Sequence, residues 1–220
     1  MGDFSEKDKI RCLLWCNRHC CLCGKACGTD IEIAHINPKK KKGSDHIDNA
    51  IPLCYDCHSE IGRYNKEHPR GNKYRPKELK ARREQIYEQH TRHLVPPIFY
   101  EITQIPPNGQ QWKFPKVAFV LTHLGDSLPV KVLVVREIFL GKRSLGVPNG
   151  GHYSGKVAWN MNPRMTAVGV IKVPPEAESS TKRLYIRVTA TVIDQYEREH
   201  KLLPTGWVYN RAGHYWALEP

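Results

Sequence analysis

The sequence predicts an α+β protein, in which a metal-pinned, helix-bearing N-terminal domain precedes an all-β antiparallel sandwich. Three observations carry that expectation. All eight cysteines, Cys12, Cys16, Cys20, Cys21, Cys23, Cys27, Cys54 and Cys57, fall within the first 57 residues. A stretch with five prolines, residues 95–115, suits a semi-extended connector better than a helix or a central strand. Beyond it, short β-branched and aromatic runs are separated by turn residues, and helical periodicity is lost. The expected domains are therefore residues 1–94, a linker at 95–115, and a sandwich over 116–220.

Composition bounds the function. The 220 residues are 40% hydrophobic and 25% charged, enough for one large or two small cores. Lys and Arg number 34 against 22 Asp and Glu, a net charge of +12. That excess favours a polyanionic partner, nucleic acid or an anionic surface. No run of about 18 apolar residues occurs, so no membrane span is expected. The first residues, Met1 to Lys7, lack an apolar signal core, which points to a cytoplasmic protein.

The cysteines divide by spacing. Cys20-x-x-Cys23 and Cys54-x-x-Cys57 each present two sulfurs to one ion, and together they make the tetrahedral donor set of a structural Zn²⁺. Crowding into one segment fits a zinc site in a reducing compartment better than a disulfide framework. Cys12 and Cys16, four apart on an expected helix with Leu13 and Trp15, read as buried small hydrophobes. Cys21 and Cys27 remain open, since Cys23-x-x-x-Cys27 also has ligand spacing. Cys20 and Cys23, followed by Gly24, form the more usual knuckle.

Between the two pairs lie the candidate chemical groups. Ile31 to Ile36 is a short β-type run that places His35 at its end, and Asn37-Pro38 forces a turn after it. An imidazole there suits a general base, because histidine ordinarily titrates near neutrality. Asn49 begins the return toward Ile51-Pro52-Leu53, and His58 starts an expected helix from Cys54 to Tyr64.

Residues 18–65 resemble the HNH endonuclease family with its ββα-metal fold. The resemblance rests on Cys20 to Gly24, Glu32 to Ile36, Asp48 to Cys54 and Cys57-His58. It implies a metal-dependent endonuclease: His35 is the base, Asn49 orients it and helps organise the metal site, and His58 binds a catalytic divalent ion. The cofactors implied are structural Zn²⁺ and catalytic Mg²⁺ or Mn²⁺, with Ni²⁺ a further candidate, and the products are a 5′-phosphate and a 3′-hydroxyl. Many members carry a metal ligand directly before the first histidine, where this chain has Ala34. Glu32, on the same strand face as Ala34, either reaches the ion directly or through water, or simply faces solvent.

Basic residues flank this centre. Lys39, Lys40, Lys41 and Lys42, between His35 and Asn49, either concentrate phosphate backbone or form a solvated loop tip. Residues 63–83 carry nine cations, among them Arg63, Lys66, Arg70, Lys73 and Arg75, against Glu67 and Glu78, and suit backbone tracking along double-stranded DNA. Pro76 is placed to open a helix to about His93, supported by Glu78 and Arg82 at i, i+4. Leu79, Ile86 and Tyr87 give it a narrow apolar stripe.

Expected strands of the sandwich are Lys116 to Leu124, Val130 to Leu140, His152 to Asn160, Thr166 to Val173, Lys182 to Asp194, and short runs at Trp207 and Trp216. Hairpin turns are expected at Leu124 to Ser127 and Gly141 to Ser144. The period-two alternation of Leu184, Ile186, Val188, Ala190 and Val192 marks one buried sheet face. His123, His152, His200 and His214 are scattered, which suits core or surface roles better than ligation. A protein partner or a small regulatory ligand could use this domain.

Three function classes follow: a DNA endonuclease, in restriction or defence against foreign DNA; a non-catalytic zinc-stabilised nucleic-acid-binding protein; and an assembly factor whose basic surface meets another protein.

Overall fold

The computed structural model describes residues 4–63, 74–105, 116–146, 156–171, 173–177 and 179–219. The chain forms two compact units, Met1–His93 with Tyr196–Arg198, and Leu94–Gln195 with Glu199–Pro220.

In the first unit, helix α1 spans Glu6–Trp15. Ser5 caps it by accepting from the Asp8 amide, while Glu6 and Asp8 complement the positive end of the helix dipole. Asn17 and Arg18, both left-handed with φ of 45° and 53°, end the helix and reverse the chain. Strands β1 (Ile31–His35) and β2 (Ala50–Cys54) pair antiparallel from Ile31↔Cys54 to His35↔Ala50. The hairpin runs directly into α2 (Tyr55–Arg63). Pro52 is tolerated within β2 because a two-stranded ribbon has an unpaired edge; its carbonyl accepts from Cys21.

Helix α3 (Pro76–Thr91) has Pro at its first position, and Arg82 Nε donates to Glu78 at 3.1 Å. Its inner face is wider than the apolar stripe suggests, because Leu79, Arg83, Tyr87 and Thr91 are all buried at i, i+4 spacing. Polar side chains thus occupy positions that hydropathy assigns to solvent. Arg83 is compensated there by three backbone carbonyls and by Glu84. The core collects Cys16, Cys21, Ala34, Ile36, Ile51, Leu53, Leu79 and Tyr87.

The second unit is an antiparallel sandwich. Its smaller sheet orders β3 (Ile98–Ile105), β4 (Lys116–His123) and β8 (Thr166–Ile171). The larger contains β5 (Val130–Leu140), β6 (Arg143–Ser144), β7 (Lys156–Met161), β9 (Leu184–Ile193), β10 (Glu199–Lys201), β11 (Thr205–Asn210) and β12 (Tyr215–Leu218). Phe119 and Leu121 of β4 share one core with Val132 and Val134 of β5 and with Ile186 and Val188 of β9. Trp207, Tyr209 and Trp216 belong to that core, while Tyr215 stays exposed.

Two expectations are corrected. Residues 98–105 are not connector but an edge strand, paired with β4 over all eight residues. Ile98, Tyr100 and Ile102 pack on the core, and the prolines at 96–97 and 106–107 flank the strand instead of interrupting it. The Leu124 to Ser127 segment is no hairpin turn, because β4 and β5 belong to different sheets. His123 organises that crossover: buried, it pairs through Nε2 with the Leu128 carbonyl at 2.7 Å and through Nδ1 with the Gly125 amide at 3.1 Å. Gly141-Lys142 does form a two-residue hairpin, with Gly141 at φ 62°. Residues 152–155 of the expected third strand lie outside the described residues.

Candidate metal and nuclease site

The sulfurs of Cys20, Cys23, Cys54 and Cys57 lie within 4.8 Å of one another, with Cys23 Sγ and Cys54 Sγ 3.9 Å apart. Tetrahedral sulfurs about 2.3 Å from a zinc ion stand about 3.8 Å apart, so the cluster matches a zinc knuckle. The backbone prepares it. Gly24 N bonds the Cys20 carbonyl, with Gly24 left-handed at φ 76°, and Leu22 N points at Cys20 Sγ at 3.5 Å. Burial pushes the Cys20 thiol up, but amide donors from Cys23, Cys54 and Leu22 outweigh it and bring it down to about 7. Burial raises Cys23 and Cys57. Sulfur ligands to a metal bind as thiolates, and a cation among them offsets their mutual repulsion. Cys27 lies outside the cluster, its Sγ bonded to the Lys25 carbonyl at 3.1 Å, and Cys12, Cys16 and Cys21 are fully buried.

Since Cys54 closes β2, the knuckle anchors one end of the hairpin, and His35 stands at the other end. The His35 ring stacks on Phe4, with centroids 4.2 Å apart and planes 26° apart, and its Nε2 meets Asp45 Oδ1 at 2.8 Å. The same oxygen meets Lys39 Nζ at 2.9 Å. Lys39 first and His35 second hold the Asp45 carboxyl below the ordinary carboxylate range. An ionised carboxylate only accepts, so a neutral His35 carries its proton on Nε2 and keeps its lone pair on Nδ1.

Asn49 is buried and holds the loop between β1 and β2. Its Oδ1 accepts from the Asn37 amide at 2.8 Å, and its Nδ2 donates to the carbonyls of Asn37 at 3.0 Å and Ser44 at 2.8 Å. Both Nδ2 hydrogens and one Oδ1 lone pair are therefore engaged by backbone. The chain approaches so closely here that a Cβ on Gly43 would overlap the Asn37 carbonyl. Among the described residues no hydrogen bond joins His35, Asn49 and His58 to one another; Asn49 bonds the Ser44 carbonyl, next to Asp45, which meets His35.

Arg83 holds Asn49 in turn. From α3 its guanidinium donates to the carbonyls of Ile47 at 3.3 Å, Asp48 at 3.0 Å and Ala50 at 2.8 Å, on both sides of Asn49. On α2, His58 Nδ1 meets Glu32 Oε2 at 2.5 Å. Among the described residues no hydrogen bond engages His58 Nε2, and Glu32 fixes the ring through Nδ1. Strand alternation puts Glu32 and Ala34 on one face of β1 and His35 on the other.

Lys39 is engaged by Asp45, and it opens a 3₁₀ turn, Lys39–Lys41, closed by Lys42 in the left-handed region. Lys40, Lys41, Lys42 and Arg75 are exposed. Lys66, Arg70 and Lys73 lie outside the described residues, as does the side chain of Arg63. Sequence reasoning missed Phe4 and Asp45, and it counted Arg83 among the backbone-tracking cations of 63–83, whereas Arg83 is buried on the carbonyls of Ile47, Asp48 and Ala50. Asp45 sits in a polar loop without periodicity, and only its place between a histidine and four lysines hints at a partner role.

Among curated proteins none matches the chain. Residues 20–63, which hold the knuckle, the hairpin and α2, match the family described as HNH endonuclease. Residues 20–63 thus form an HNH endonuclease domain whose four clustered cysteines are placed to hold a zinc ion.

Proposed function

We propose that the chain is a metal-dependent endonuclease that hydrolyses phosphodiester bonds of double-stranded DNA, with a role in restriction or defence. The observation that carries this reading is the orientation of His35. A carboxylate already neutralised by Lys39 takes its Nε2–H, so Nδ1 is the basic nitrogen. It takes the proton of a water molecule as that water attacks phosphorus, and the imidazolium formed is stabilised by Asp45.

His58 and Glu32 offer a divalent cation one imidazole nitrogen and one further carboxylate oxygen, and Ala34 offers nothing. Such a sparse donor set fits an ion that takes its remaining ligands from water and substrate phosphate, as Mg²⁺ and Mn²⁺ do. When bound, the ion supplies charge neutralisation at the phosphoryl group and the departing 3′ oxygen. Asn49 and Arg83 keep the loop and the strand start in place. Exposed Lys40, Lys41, Lys42 and Arg75 draw in the backbone.

Incubation of supercoiled plasmid with the purified chain and Mg²⁺, Mn²⁺ or Ni²⁺ tests the reading. Nicked or linear product is expected, absent with His35→Ala. Binding without any cutting in all three metals would replace it by a non-catalytic nucleic-acid-binding function.

A further inference from the structure

The sandwich carries half of the charge excess of the chain. Its unit holds 14 Lys and Arg against 8 Asp and Glu, a net +6. Six of those cations gather at one end of the larger sheet. Lys142 and Arg143 come from the β5–β6 turn, Lys182 and Arg183 from the entry to β9, Arg187 from β9 itself, and Arg211 from the β11–β12 turn. Hydrogen bonds show the convergence: Gly141 N bonds the Arg183 carbonyl at 2.7 Å, and the Arg211 guanidinium donates to the Lys182 carbonyl at 3.0 Å.

Two of these guanidiniums lie over aromatic rings. Arg187 is 5.0 Å from the Phe139 centroid and Arg183 is 6.0 Å from that of Tyr185, while the two rings are 5.6 Å apart. Stacking holds a guanidinium in place while leaving N–H edges for a phosphate. Among the described residues three carboxylates face the cluster: Glu137 pairs with Arg187, Glu176 with Arg143 and Glu219 with Arg183. Those pairs are solvent-exposed, with the arginine side chains 44%, 74% and 60% accessible, so each holds its arginine weakly and a phosphate competes. Among the described residues, these six cations outnumber the carboxylates that face them.

We propose that this end of the sandwich is a second nucleic-acid-binding surface, which grips the phosphate backbone of duplex DNA independently of the HNH domain's chemistry. The inference stands on binding alone and goes beyond the hydrolytic reading. Phosphate pairing of this kind adds affinity and salt dependence without sequence preference.

The test is duplex binding by the full chain without added Mg²⁺ or Mn²⁺, followed by fluorescence anisotropy between about 50 and 200 mM salt. The triple variant Lys142→Gln, Arg143→Gln, Lys182→Gln should lower the slope of log K against log salt by about 2 to 3, at about 0.9 for each phosphate no longer neutralised. A matched triple on other parts of the sandwich, Lys131→Gln, Arg164→Gln, Lys201→Gln, should leave the slope within about 0.5 of the parent's. Lys142→Arg with Lys182→Arg should retain parental binding, which guards against misfolding as the cause. An unchanged slope in the first triple, or an equal fall in both, overturns the proposal. A chain that binds through this surface yet cuts nothing would refute the nuclease reading and leave this one intact.

Discussion

Asn49 distinguishes two kinds of site by a single substitution. As the cation ligand that the family resemblance implies, Asn49→Asp would offer a better donor, a carboxylate for an amide, and cleavage would persist with tighter metal dependence. As a loop clamp, the same change removes both Nδ2 donations and sets a carboxylate against the carbonyls of Asn37 and Ser44, which lie 3.0 and 2.8 Å from Nδ2. Asn49→Ala removes all three bonds. At about 1 kcal/mol each, its loss is about 3 kcal/mol of local stability, or roughly 150-fold in the opening equilibrium. Hydrogen exchange at the Asn37 and Gly43 amides reads this directly, since Asn37 N bonds Asn49 Oδ1 and Gly43 N bonds the Pro38 carbonyl. Exchange about two orders of magnitude faster in the Ala variant, equal or worse opening in the Asp variant, and loss of plasmid nicking in both are expected. Parental protection and cleavage in Asn49→Asp would refute the clamp and restore the amide to the metal.

One zinc per chain, by elemental analysis, should be lost in Cys54→Ser and kept in Cys27→Ser, because only the former sulfur belongs to the cluster. Arg83→Met leaves the carbonyls of Ile47, Asp48 and Ala50 without this donor; thermal melting should show a loss of about 3 kcal/mol from the first unit, with slower cleavage. Lys39→Gln removes the largest cause of the lowered Asp45 pKa. A depressed carboxylate pKa contributes stability above its unfolded value and loses it as pH falls through the folded one. The His35 contact should therefore fade at higher pH in Lys39→Gln than in the parent, as carboxyl NMR titration would show. Gly43→Ala, which adds a methyl against the Asn37 carbonyl, should open the same loop, and faster exchange at the Asn37 amide would report it.

The sequence makes some of this site legible because metal ligands and strand ends leave local marks. Two C-x-x-C pairs state a tetrahedral donor set outright, and the alternation in β9 gives its buried face. The clamp does not show, because Asn49 bonds backbone atoms 5 and 12 residues away and any polar loop supplies such atoms. Arg83 escapes for a different reason. Its buried guanidinium is compensated by carbonyls 33 to 36 residues earlier in the chain, so hydropathy places it on the solvent side. The edge strand at 98–105 is hidden by proline content, which reports the flanks and not the alternating interior.

Asn49 cinches the hairpin loop at its base, joining residues 37 and 44 below the lysine tip. Substitutions or insertions among positions 40–42 would then reshape the tip without loosening the imidazole below. If the chain cuts nucleic acid as proposed, its grip could thus vary while its chemistry is kept.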